Sequence, residues 1–182
     1  MFGAQKIIPA ISSHQSLKRF LVSELDYGIL MNFQLAQLRE LVEVMKKHNK
    51  KVLIHLELLK GISNDEYGAI YLIQELQVDG IITTKPRVID LCKKRKVIGI
   101  MRFFLKDTLS LNQSIDLVKK VQPDALEVLP AMAEPIANLK KFIDCPILLG
   151  GLIQSKDHVA HCLKSGAVAI TTSDETLWNQ TI

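Results

Sequence analysis

Hydrophobic and polar positions along this chain switch repeatedly between two periods. Short apolar runs of strand character occur at 6–11 (KIIPAI), 27–31 (YGILM), 51–59 (KVLIHLELL), 80–84 (GIITT), 97–104 (VIGIMRFF), 125–131 (ALEVLPA), 146–151 (PILLGG) and 167–173 (AVAITTS). Between them, apolar residues fall three and four apart. In 33–48, for instance, Leu35, Leu38, Leu41, Val42 and Met45 define one helical face. SLNQSIDLVKKV and SKDHVAHCLKSGA read the same way. Local signals agree. Ser63 to Glu66 and Thr172 to Glu175 fit capping boxes. Pro86 and Pro135 suit a first helical turn, and Gly166 suits a helix stop.

Strict strand–helix alternation implies parallel strands joined by right-handed crossovers. Eight such units close into a barrel, so the expected fold is α/β, a compact TIM-like (β/α)8 barrel. Known barrels take about 200 residues or more, and this chain has 182, so its loops must be short. An open doubly wound sheet is the competing arrangement. No linker or low-complexity tract interrupts the pattern, and one domain over 1–182 is expected.

Composition adds exclusions. The chain is 48% hydrophobic and 23% charged, which is ordinary for a globular protein. No apolar run is long enough to cross a membrane. The opening MFGAQKIIPAI lacks the basic head and apolar stretch of a signal peptide, so a cytoplasmic protein without a membrane partner is expected. Cys92, Cys145 and Cys162 are odd in number and unpaired in spacing, which points to buried reduced thiols. His158 and His161 lie three apart on a helix with no third ligand in view, so neither a metal nor another cofactor is expected.

In either architecture ligands bind at the C-terminal ends of the strands. There the third run offers His55 and Glu57, two apart on one strand face, and just beyond them Lys60. Arg102 and Glu127 stand inside apolar runs, where a lone charge is costly. They either pair with each other or join Glu57 in a polar ring that holds the hydroxyls of a small molecule. Gly150 and Gly151 end the seventh run, and Thr172 and Ser173 end the eighth. Barrels often bind phosphate at these two loops, using backbone amides. Two adjacent glycines at a strand end imply either a sharp turn or a close approach, and a phosphate approaching the main chain is expected.

The formal charge is +4, with a pI near 8.9. Twelve of the 23 Lys and Arg residues fall at or just after helix C-termini: Lys46, Lys47, Lys50, Lys51, Lys93, Lys94, Arg95, Lys96, Lys119, Lys120, Lys140 and Lys141. Cations there complement the helix dipole. Summed over one end of a barrel, opposite the phosphate site, they also offer a footprint for nucleic acid. The first eight of them are the candidate RNA contacts. Aromatics make up only 5% of residues, and no aromatic-rich strand suggests base stacking.

The strings KVLIHLELLKGISNDEYG, DGIITTK, MRFFLKDTLSL, QPDALEVLPA, PILLGGLIQS and AVAITTSDETLW together resemble the glycerol-3-phosphate-responsive antiterminators, regulators of bacterial glycerol uptake operons. The resemblance runs from about Ile7 to Trp178. It implies a phosphate-binding type of barrel used as a sensor. Such a protein binds glycerol 3-phosphate, then the 5′ leader of a glycerol-metabolism mRNA, and so prevents a terminator hairpin. By motif, the resemblance implies a ligand site of His55, Glu57, Lys60, Arg102, Glu127, Gly150, Gly151, Thr172 and Ser173. Glu57, Met101, Thr108 and Ala131 stand where the family pattern has aspartate, glutamine, serine and glycine. Two further readings stay open: a small barrel enzyme acting on a glycerol phosphate, with Glu57, Glu127 and His55 as acid–base groups, and a metabolite sensor whose output is another protein. A homodimer also stays open.

Overall fold

The computed structural model describes residues 1–178. Over that range the chain builds strands β1 (Ile7–Ile11), β2 (Tyr27–Leu30), β3 (Lys51–His55), β4 (Gly80–Thr83), β5 (Ile98–Phe104), β6 (Ala125–Leu129), β7 (Ile147–Gly150) and β8 (Ala169–Thr172). They alternate with helices α1 (His14–Leu21), α2 (Leu35–Lys47), α3 (Glu66–Gln74), α4 (Pro86–Arg95), α5 (Thr108–Val121), α6 (Glu134–Leu139) and α7 (Lys156–Lys164). Every neighbouring strand pair is parallel, and β8 closes onto β1 through Ile7–Ile170 and Ile8–Thr171. The barrel is therefore closed, as the sequence pattern implies, and the open sheet is excluded.

Two local expectations are corrected. The N-cap before α3 is Asp65, not Ser63, because one Asp65 carboxylate oxygen accepts from the amides of both Tyr67 and Gly68. Among the described residues β8 is followed not by a full helix but by a short 3-10 turn, Glu175–Leu177. Asp174 caps that turn, and Trp178 packs behind it with its indole Nε1 donating to Thr172 O.

Inside the barrel, side chains stack in layers two residues apart. The lower layer takes one apolar residue from each strand: Ile8, Ile29, Leu53, Ile82, Ile100, Ala125, Leu148 and Ala169, with Phe2 packed against them. Two residues further along, the inward positions are Ala10, Met31, His55, Thr84, Arg102, Glu127, Gly150 and Thr171. The step from an apolar layer to a largely polar one sets the floor of a cavity. Outside the barrel, the remaining strand residues pack against the apolar helix faces, as the α2 face Leu38, Leu41, Val42 and Met45 does.

Candidate functional site

The cavity opens at the C-terminal ends of the strands and holds about 230 Å³. That is below the roughly 300–1,000 Å³ of sites for drug-sized ligands, so it suits a small metabolite. Of the residues nominated from the sequence, His55, Arg102, Glu127, Gly151, Thr172 and Ser173 line it. Glu57, Gly150 and Lys60 do not. Glu57 stands on a short 3-10 turn after β3 rather than on the strand itself. Its Oε1 accepts from Thr83 Oγ1 at 2.7 Å, Thr84 N at 2.6 Å and Thr84 Oγ1 at 3.0 Å, which ties the end of β3 to the end of β4. Lys60 is exposed, and its backbone bonds to Phe33 and Leu35 outside the rim.

At and just behind the floor, two side-chain contacts fall short of hydrogen bonds: one ion pair and one contact of a carboxylate with an imidazole. Arg102 Nε lies 3.4 Å from Glu127 Oε2, as the adjacent positions of the two residues on β5 and β6 require. His55 Nδ1 lies 3.6 Å from Glu57 Oε2. These four atoms and His55 Nε2 are buried without a hydrogen-bond partner. Buried polar atoms are rarely left so, and such a cluster in a cavity marks a place for a ligand's own donors and acceptors. Hydroxyl groups, which both donate and accept, fit this set.

Electrostatics sharpen the picture. Burial and the Arg102 charge push His55 down to about 4, against the pull of Glu57, so its imidazole is neutral at pH 7. Burial raises the Glu127 carboxyl, resisted by the Arg102 charge and by the Thr171 hydroxyl that donates to Glu127 Oε1 at 2.7 Å. For Glu57 burial pulls upward, but the Thr83 and Thr84 hydrogen bonds win and hold it below its ordinary value. The cavity therefore offers a neutral imidazole, a buried carboxyl held above its ordinary value and, among the described residues, one lining cation, Arg102.

The two glycines have separate causes. A Cβ on Gly150 would collide with Thr171 Oγ1 and stand 3.3 Å from Glu127 Oε1, so the close approach there is made by the chain's own Thr171. Gly151 has φ +73°, in the region that favours glycine, and faces the cavity. Sequence reasoning missed Thr171. The signal lay in the two-residue period, since Ala169 faces inward in the apolar layer and Thr171 must follow it.

At the opposite end the lysines divide. Lys50 is buried, with its Nζ donating to Ser23 O at 2.6 Å and Leu25 O at 2.9 Å, just past α1. Lys46 Nζ donates to Gln77 O at 2.6 Å past α3, and Lys93 Nζ to Val121 O at 2.7 Å at the end of α5. Lys51 pairs with Asp79 at 3.1 Å. These four ammonium groups hold neighbouring chain segments together at the barrel base. Lys47, Lys94, Arg95 and Lys96 are exposed and make no such bond among the described residues.

Three cysteines are free, and burial pushes Cys92 up to about 12 and Cys145 up to about 11. Among the described residues no cluster could hold a metal ion, and no helix is long and apolar enough to cross a membrane.

A closed parallel barrel with a small polar cavity at its strand ends defines a protein of the (β/α)8 class. The sequence model of the glycerol-3-phosphate responsive antiterminators matches residues 7–178, and the chain belongs to that family. It is similar in structure to a glycerol uptake operon antiterminator regulatory protein from Listeria monocytogenes, with TM-score 0.95, 35% identity and coverage of 99% of this chain and 98% of that one. An antiterminator-related protein from Thermotoga maritima shares the fold, with TM-score 0.83, 23% identity and coverage of 99% and 100%. The YgcP protein of Escherichia coli (strain K12) is 27% identical over 173 residues, 94% of this chain and 91% of that protein.

Proposed function

We propose that this chain is a non-catalytic, ligand-gated RNA regulator of the cytoplasm. Glycerol 3-phosphate enters the cavity, and the liganded protein holds the 5′ leader of a glycerol-metabolism mRNA so that its terminator hairpin does not form. The family match over residues 7–178 carries this reading. The cavity supports it through chemistry. The glycerol hydroxyls meet the unpartnered atoms of His55, Arg102 and Glu127. The phosphate lies toward Gly151 and Ser173, within reach of the Arg102 charge. Glu57 and Gly150 act from behind, by holding the Thr84 and Thr171 positions. RNA phosphates are met by Lys47, Lys94, Arg95 and Lys96 as sequence-independent contacts. The effector shifts RNA affinity only by favouring one of two states through differential contacts.

The test is binding of labelled leader RNA, with and without glycerol 3-phosphate, at two salt concentrations. Salt-sensitive binding that tightens with the effector is expected. No RNA binding in either condition sinks the reading. A barrel enzyme acting on a glycerol phosphate is favoured by one observation, the buried Glu127 carboxyl that lines the cavity with its Oε2 unpartnered. Turnover of glycerol 3-phosphate followed by phosphorus NMR, abolished in Glu127→Gln, would establish it.

A further inference from the structure

Beside the ligand cavity, between the β4–α4 connection and α5, lies a second cleft of about 460 Å³. We infer that this cleft takes one unpaired nucleotide of the RNA, its base stacked on Phe104 and its phosphate met by Lys106, with Arg102 shared between cleft and ligand cavity. The inference rests on the RNA-regulator reading and adds where on the molecule the effector and the RNA meet.

Phe104 is the last residue of β5 and is 50% exposed, although it is a large aromatic side chain with no partner in the core. The Arg102 guanidinium stands over its ring, 5.1 Å from the centroid. A cation on one face leaves the other face for a base, an arrangement that tolerates any sequence because every base has a π-face. Lys106 lines the same cleft and is exposed; its backbone N–H donates to Ser110 Oγ at 3.0 Å, while its ammonium group makes no hydrogen bond or ion pair among the described residues. Its neighbour Asp107 turns its carboxylate onto Ser110 N as the N-cap of α5, at 2.7 Å. The Gln113 side chain, also unpartnered and lining the cleft, supplies both a donor and an acceptor for a base edge. No lining residue is acidic. Single-stranded RNA is recognised by this combination of aromatic face, amide and cation. The other half-exposed phenylalanine, Phe142, also has a cation over its ring, Lys119 Nζ at 5.4 Å, but its cleft is lined by Asp144, whereas in the Phe104 cleft no acidic side chain competes with a single nucleotide phosphate for Lys106.

Arg102 lines both spaces. In the ligand cavity its Nε faces Glu127 Oε2 at 3.4 Å. A ligand oxygen that engages the guanidinium therefore changes the cation held over Phe104, which supplies the differential contact a gated regulator needs.

The experiment uses the full chain and the end-labelled leader RNA of the source organism's own glycerol-uptake operon, with and without glycerol 3-phosphate. Phe104→Ala is expected to weaken binding about tenfold with an unchanged thermal melt, and Phe104→Trp to restore it. Lys106→Gln is expected to reduce the slope of log K against log salt by about 0.7. If Phe104→Ala and Lys106→Gln bind like the wild type while a Lys94→Gln, Arg95→Gln, Lys96→Gln variant loses RNA, the cleft is overturned and the regulator reading stands. If the wild type binds no leader RNA while glycerol 3-phosphate still raises its melting temperature, both are overturned.

Discussion

Replacing Gly150 by alanine separates two explanations of the glycine pair. Glu127 is buried, with one carboxylate oxygen already unpartnered and the other held by the Thr171 hydroxyl. The added Cβ occupies the place of Thr171 Oγ1, so the hydroxyl must leave and Glu127 loses its remaining hydrogen bond. An orphaned buried acceptor costs about 1–3 kcal/mol, and overpacking a rigid site adds a similar amount. The expected loss is about 3 kcal/mol, or about 10 °C in Tm for a chain of this size. Gly151→Ala meets only the flexible end of Leu129, at 3.2 Å, together with φ +73°. It is expected to cost about 1 kcal/mol.

Urea denaturation of Gly150→Ala, Thr171→Ala and the double variant completes the test. Thr171→Ala removes the collision that Gly150→Ala creates, and both changes strip the same hydrogen bond from Glu127. The double variant must therefore be more stable than the sum of the single losses by about 1–3 kcal/mol. If instead Gly150 is kept small for a ligand's phosphate, Gly150→Ala keeps wild-type stability and loses only its response to glycerol 3-phosphate. Additive losses, or equal tolerance of alanine at Gly150 and Gly151, refute the internal-contact argument.

Three further outcomes follow from the same geometry. His55 titrates near 4 in the folded chain against an ordinary 6.5, so the unfolded chain takes up the proton first as pH falls. Stability should drop by roughly 3 kcal/mol between pH 6.5 and 4, and a denaturation series at stepped pH on the wild type and His55→Gln should show that drop flattened in the variant. Glu57, held below its ordinary value, contributes stability above about pH 4.5 that is lost as pH falls through its folded pKa. Glu57→Gln should cost about 2 kcal/mol at pH 7 by weakening its charge-assisted bonds, read by thermal melting. Lys50→Met keeps the apolar stem but drops the two carbonyl contacts past α1. It should cost about 1–3 kcal/mol in urea while leaving RNA affinity unchanged, and a loss of RNA binding without destabilisation would return Lys50 to the RNA surface.

The strand–helix count was readable because each strand run is apolar on both faces, as a buried parallel strand must be. The same feature hid part of the site. In AVAITTS, Thr171 and Thr172 look alike until it is known that Ala169 faces inward; the two-residue period then turns Thr171 inward too, and its pairing with Gly150 across β7 and β8 sets its hydroxyl against Glu127. The eighth helix was expected from a capping pattern beginning at Thr172, whereas the cap is Asp174 and it serves only a three-residue turn. Lys50, just past α2, and Lys94, in the last turn of α4, both belong to basic clusters at helix C-termini, and what separates them is whether a neighbouring carbonyl lies within reach. That is decided by how helices pack, not by spacing. Phe104 was passed over because a lone aromatic at a strand end carries no periodic signal. Its exposure and its contact with Arg102 are tertiary facts.

These positions also constrain how an effector at one end can act on RNA. Between the ligand cavity and the exposed lysines at the barrel base lies the apolar layer of Ile8, Ile29, Leu53, Ile82, Ile100, Ala125, Leu148 and Ala169. Such a layer is packed at crystal-like density and holds no polar group to rearrange. Lys46, Lys50 and Lys93 further lock the base to neighbouring carbonyls. A signal has a shorter route through Arg102, which reaches both the cavity and the Phe104 cleft. The base cations should then act on RNA as a constant electrostatic background. Lys94→Gln, Arg95→Gln, Lys96→Gln should lower RNA affinity by the same factor with and without glycerol 3-phosphate. Phe104→Ala should shrink the ratio of the two affinities. The opposite result, with the ratio lost at the base and kept at Phe104, would mean that the coupling crosses the barrel after all.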